Sequence, residues 1–235
     1  MEKQKLLPLV LSVRALNWKN DDSPLSDSIT NLYTKIRERD DHTCRFCGFK
    51  DSFYQEIHHI NDDHADNSER NLITACTFCH SVHHLTAVGK NQEGIIIWLP
   101  EIPQFKLNHI NRSLLVMSSW ADKLKRNTNR HKQVKEAHQL GQSAKITLKK
   151  LESRKEQATE IFKTSDPSIL GGILQQILNE NPEKYKRRSE FLHGLRVFYF
   201  GKKIKDNKDI MPRIIDGWTR NSGPYSAEPI SWLKE

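Results

Sequence analysis

Four cysteines in two Cys-x-x-Cys pairs, Cys44/Cys47 and Cys76/Cys79, carry the clearest chemistry in this 235-residue chain. Thiolates are soft ligands, and two converging knuckles supply the four that a tetrahedral zinc site takes. They are all the cysteines the chain has, so none is left for a disulfide framework or a lone nucleophile. Residues 48–75, between the knuckles, exceed the usual zinc-ribbon gap and must fold as an insert of their own. The insert holds His58, His59 and Asn71, and the second knuckle runs straight into His80, His83 and His84. On a helix His80 and His84 share a face, being four residues apart. His64 and His83 can each serve as an extra ligand, but they read first as solvated histidines.

The run Cys44-Arg-Phe-Cys47-Gly48, His58-His59, Asn71-Leu72 and Cys76-Thr-Phe-Cys79-His80 resembles the HNH nucleases, whose module is the ββα-metal fold. The resemblance implies a structural zinc on Cys44, Cys47, Cys76 and Cys79. It implies a second divalent metal, such as Zn²⁺, Mn²⁺, Ni²⁺ or Mg²⁺, on His58, His80 and His84. His59 is then the general base, and Asn71 ties the loop to the strand and orients that base. The chemistry is phosphodiester hydrolysis. A histidine with an ordinary pKa near ~6.5 can take a proton from water at neutral pH. The metal offsets charge that develops on phosphate in the transition state. Adjacent strand residues point to opposite faces. His58 and His59 therefore share a site only if the phosphate lies between metal and base, or if the strand bends.

A narrower resemblance covers more of the chain. Arg39-Asp40-x-x-Thr43-Cys44-x-Phe46-Cys47-Gly48-Phe49, Tyr54-Gln55-Glu56-Ile57 and Asn71 to Cys79 are similar to the DotN/IcmJ family. So are Leu99-Pro100-Glu101 and Thr164-Ser165-Asp166-Pro167-Ser168-Ile169. The resemblance implies a component of a type IV secretion coupling complex, partnered by the coupling ATPase and its adaptor proteins. The expected location is cytoplasmic, at the inner face of the membrane. This chain departs from the family in keeping His58, His59, His80 and His84. Two functions therefore stand side by side: a coupling-complex component, and a metal-dependent HNH DNA endonuclease acting independently of secretion.

Composition sets the outer bounds. Hydrophobic residues make up 36% and charged residues 28%, enough for one or two polar, soluble domains. Paired cysteines at metal spacing fit a reducing compartment better than secretion. Leu6 to Val13 is too short, and too interrupted by Pro8, for a signal peptide and reads as a strand. No stretch approaches the ~20 apolar residues of a membrane span. The net charge of +8 is uneven: −2 over residues 35–90, +7 over 121–165 and +5 over 183–235. The basic helices can face nucleic-acid phosphates, an acidic protein or only water.

The elements follow from periodicity. The expected class is α+β: a zinc-stabilised HNH module followed by a mostly helical C-terminal region. Segment 1–39 holds a strand and a helix capped at Ser26 or Asp27, 40–90 the zinc module, 91–165 a strand and basic helices, and 166–235 further helices. Ile95 to Leu99 is a buried strand closed by Pro100 and Pro103. A helix starts near Gln104, and 126–142 reads as a loop or frayed helix. Asp166-Pro167 opens another helix, which ends at Asn181-Pro182. Tyr185, Phe191, Leu192, Leu195, Val197 and Phe198 read as one more. The tail aromatics Trp218, Tyr225 and Trp232 read as groups that dock on the core or on a partner.

Overall fold

A computed structural model describes residues 6–13, 26–127 and 131–222, a mixed α+β chain. The described residues divide into two units, one of residues 1–88 and 167–193, the other of 89–166 and 194–235.

In the first unit, helix α1 (Asp27–Arg39) is capped by Ser26, whose Oγ accepts the Ile29 N–H. Strands β1 (Gln55–His59) and β2 (Leu72–Cys76) pair antiparallel, with His59 opposite Leu72 and Gln55 opposite Cys76. Helix α2 (Thr77–Val82) begins directly after β2, giving a strand–strand–helix run. Ile36, Ile57 and Leu72 pack together beneath α1. Helices α3 (Leu85–Lys90), α7 (Pro167–Glu180), α8 (Pro182–Lys186) and α9 (Arg188–Phe191) follow in chain order around the second unit's segments. Gly171 of α7 lies against Thr86, where an added Cβ would stand 2.9 Å from the Thr86 backbone nitrogen. Residues 6–13 are not a strand. Their amides go to single carbonyls, Leu7 N–H to Arg45 O and Ser12 N–H to Val82 O, rather than to a ladder. Val13 is held at both backbone groups by the Tyr185 hydroxyl.

In the second unit, β3 (Gly94–Trp98) pairs antiparallel with β4 (Leu195–Tyr199). Helices α4 (Gln104–Asn127) and α5 (His131–Ser153) pack side by side, and Gly141 admits the Ala121 Cβ. Ile97, Leu99, Leu107 and Phe198 form the core that β3, β4 and α4 share. Helix α6 (Lys155–Phe162), the short pair β5 (Ile204–Lys205) and β6 (Lys208–Asp209), and helix α10 (Met211–Ser222) complete the unit.

Two further expectations change. Residues 131–142 are helical, because α5 starts at His131 and gains its partner in α4. Leu195, Val197 and Phe198 belong to a strand, not a helix: Gly194 at φ +85° turns the chain, and β-branched and aromatic residues then pair with β3. Trp218 takes the first of its two expected places: it is buried on α10, with the Arg112 guanidinium 5.3 Å from its ring. Tyr225 and Trp232 lie outside the described residues.

Candidate metal centre

The two knuckles converge. All four cysteines are buried and unoxidised, and their sulfurs lie within 4.8 Å of one another. Cys47 Sγ and Cys76 Sγ are 3.7 Å apart. A tetrahedron with Zn–S bonds of ~2.3 Å has edges of about 3.8 Å, so the donor set fits zinc as it stands. The local chain explains the convergence. Gly48 at φ +75° closes the first knuckle, its N–H reaching Cys44 O. Cys76 ends β2 and is the N-cap of α2, so Cys79 follows one turn on. Burial, and then the neighbouring thiols, push the Cys76 and Cys79 thiols well above their ordinary range. A divalent cation reverses that balance by stabilising thiolate.

The histidines divide between the two faces of β1. Glu56 and His58 look one way and Ile57 and His59 the other, as strand alternation requires. His59 meets Tyr33 and His64, and its Nε2 lies 3.1 Å from Asn67 Oδ1. His80 Nδ1 sits 2.5 Å from Glu56 Oε2, which fixes the ring and turns Nε2 toward His84 Nε2, 3.2 Å away. His58 stacks closest to His83, ring centroids 4.1 Å apart, against 5.7 Å to His80. Phe46 closes that side, 5.4 Å from His58 and 5.0 Å from His83. His64 stands between the two faces, 4.4 Å from His59 and 6.2 Å from His84.

Asn71 anchors the 60–71 loop. Its Oδ1 accepts the Asn61 N–H, and its Nδ2 donates to Asn61 Oδ1 and Asp66 O. His80 and His84 thus come together, while His58 lies beside them with a different nearest neighbour.

The sequence pattern does not mark Asp62, and it leaves His83 between an extra ligand and a solvated histidine. Nitrogens of His58 and His83 and a carboxylate oxygen of Asp62 lie within 4.8 Å of one another. His83 is 7% exposed, not solvated. Its Nδ1 is 2.8 Å from Ser12 Oγ. Burial lowers His83 to about 3, helped by His80 and Arg188, and holds His58 far below the usual imidazole range. Burial raises Asp62 to about 6, with Arg188 and His80 opposing. No spacing signal marks Asp62. It reaches this group because a tight turn, Asp62 N–H to His59 O with Asp62 at φ +59°, folds the chain back after β1.

These features define the class: a four-cysteine metal knuckle built on a strand–strand–helix run, with histidines on both faces of its first strand. No protein-family model matches the chain. Over 78 residues the chain is 41% identical to DotN, a type 4 apparatus protein of Legionella pneumophila, which bears out the resemblance to the DotN/IcmJ family. That stretch is 32% of this chain and 36% of DotN, so the chain spans about a third of the relative it matches.

Proposed function

We propose that this chain is a zinc-stapled component of a type IV secretion apparatus, serving in the complex that presents substrates to a coupling ATPase. The carrying observation is the 41% identity to DotN, whose name places it in a type 4 apparatus. The four-cysteine cluster supports it with a preformed site for the zinc that the family resemblance implies. In this reading the knuckle is a clamp that fixes β1, β2 and α2, and the module has the HNH fold. Partner contact falls to exposed surfaces such as Ile169 and Ile173 of α7. Among the described residues no helix is long and apolar enough to cross a membrane. Tagged protein purified from its own cells should carry the coupling ATPase with it. The pair Ile169→Asp and Ile173→Asp should abolish that capture while leaving the melting temperature unchanged. Absence of secretion components from the wild-type capture would refute the reading.

A second reading, metal-dependent DNA cleavage, is favoured by one observation: His80 and His84 present adjacent nitrogens beside β1. A cation held by these rings and His58 would supply electrophilic stabilisation to a phosphate. His59, steadied by Asn67, would accept the proton of the attacking water, and Asn71 would hold the loop that carries Asn67. The basic stretch 121–165 would contact DNA phosphates without reading sequence. Purified protein would then nick plasmid only with divalent metal, and His59→Ala would slow it by ~10²-fold or more. Nicking that survives His59→Ala undiminished sinks this mechanism.

A further inference from the structure

We infer that His58, Asp62 and His83 form a second, buried divalent-metal site, distinct from the cysteine cluster and from the His80/His84 pair. The inference is independent of the secretion reading and competes with the cleavage reading for His58. It shares His58 with the ligands that the HNH resemblance implies, and it replaces His80 and His84 with His83 and Asp62.

The geometry carries the argument. The donor atoms of the three residues already lie within 4.8 Å of one another. Nitrogen and oxygen ligands at ~2.0–2.1 Å in a tetrahedron stand about 3.3 Å apart. Closure therefore asks for movements of at most about 1.5 Å, within reach of side-chain torsions. The decisive group is His83. Its Nε2 is buried and has no hydrogen-bond partner, which is costly for a polar atom in a protein interior. Its Nδ1 meets Ser12 Oγ at 2.8 Å. With Nδ1 carrying the proton, Nε2 keeps its lone pair for a cation, the arrangement that orients metal-bound imidazoles. The sequence spends two further residues on this. Ser12 is fully buried, and it is fixed by Ser12 N–H to Val82 O. His58, 3% exposed, faces His83 across 4.1 Å.

Two neutral imidazoles and one carboxylate make a borderline donor set. It suits zinc, cobalt, nickel or ferrous iron, and suits calcium or magnesium poorly. Three protein ligands leave at least one position open. The nearby Arg188 charge works against a cation, but that guanidinium is already engaged. It donates to Leu11 O and Tyr185 O and lies 4.4 Å from the Tyr185 ring. Phe46 shields the imidazoles from the other side.

The experiment adds Co²⁺ to protein that already carries one zinc per chain. Calorimetry and visible absorption follow binding, and elemental analysis counts metal. One further equivalent should bind, giving ligand-field bands without new sulfur charge-transfer absorption. Asp62→Asn should weaken it at least ~10-fold, and Ser12→Ala should weaken it ~10–100-fold with recovery in Ser12→Thr. His80→Ala should leave it unchanged. Asp62 is only part-buried, so Asp62→Asn decides the matter even if His83→Gln fails to fold. Absence of a second equivalent overturns the site. So does a second equivalent lost in His80→Ala and kept in Asp62→Asn, which would place the metal on the His80/His84 pair.

Discussion

Asp40 Oδ2 accepts the backbone N–H of Thr74 at 2.8 Å, joining the residue that ends α1 to the middle of β2. The carboxylate is fully buried. It also takes Arg39 Nε at 3.0 Å and Arg45 Nη1 at 3.5 Å. Arg39 in turn reaches Leu72 O and Glu69 O. One acid thus ties the helix, the first knuckle and the second strand together. Asp40→Ala should cost about 2–4 kcal/mol, because it strands a buried amide and two guanidinium contacts. Asp40→Asn should cost less. Urea denaturation measures both, and a loss under about 1 kcal/mol for the alanine variant would show that the clamp is not needed.

Zinc should stand in the same relation to the knuckles. Cys76→Ser removes one sulfur from a buried set of four. Stoichiometric zinc should fall well below one per chain, and the melt should lose cooperativity. Strong chelators should reproduce this in the wild type. Full zinc content with an unchanged melt would falsify the assignment.

Asn71→Ala should act locally. Three hydrogen bonds hold residues 61 and 66 to this side chain. Their loss should cost about 1–3 kcal/mol. Amide exchange should accelerate across 60–71 and stay slow in β2. Uniform acceleration through both strands would mean that Asn71 supports the whole module.

Glu101 offers a pH signature in the second unit. A bidentate bond from Arg154, at 2.7 and 2.8 Å, holds its carboxyl below the ordinary carboxylate range. A folded-state pKa below the unfolded one means stability that is present above about pH 4.5 and lost as pH falls through the folded value. Both partners are partly exposed, so the effect should stay below about 1 kcal/mol. The stability gap between wild type and Arg154→Gln should shrink from pH 7 to pH 3. A gap that widens in acid has the wrong sign.

Legibility in the sequence followed the strength of the local signal. The cysteine spacing named its own cluster, because zinc knuckles are local turns with few geometric solutions. Helix α1 announced itself through Ser26 and the spacing of Leu32, Tyr33 and Ile36. Strand β4 did not: Leu195, Val197 and Phe198 are as compatible with a short helix as with a strand. Only pairing with β3, far away in the chain, decides between them. His83 failed for a related reason. A histidine beside a helix end reads as solvated until Ser12 and Phe46 arrive from elsewhere to bury it. Asp62 depended on its own left-handed conformation, φ +59°, at a position where neither glycine nor asparagine stands to mark it.

The β3–β4 pairing also sets a timetable for synthesis. Residues 99–194 separate the two strands, and residues 167–193, which complete the first unit, lie within that stretch. Closing a span of roughly a hundred residues is slow compared with local helix formation, even though its entropy grows only logarithmically with length. Neither unit is whole until residues past 193 have left the ribosome. Until then β3, with Ile95, Ile96 and Ile97 in a row, presents an apolar edge without its mate. Chains cut short before Leu195 should therefore emerge as chaperone clients and aggregates rather than as a smaller working protein.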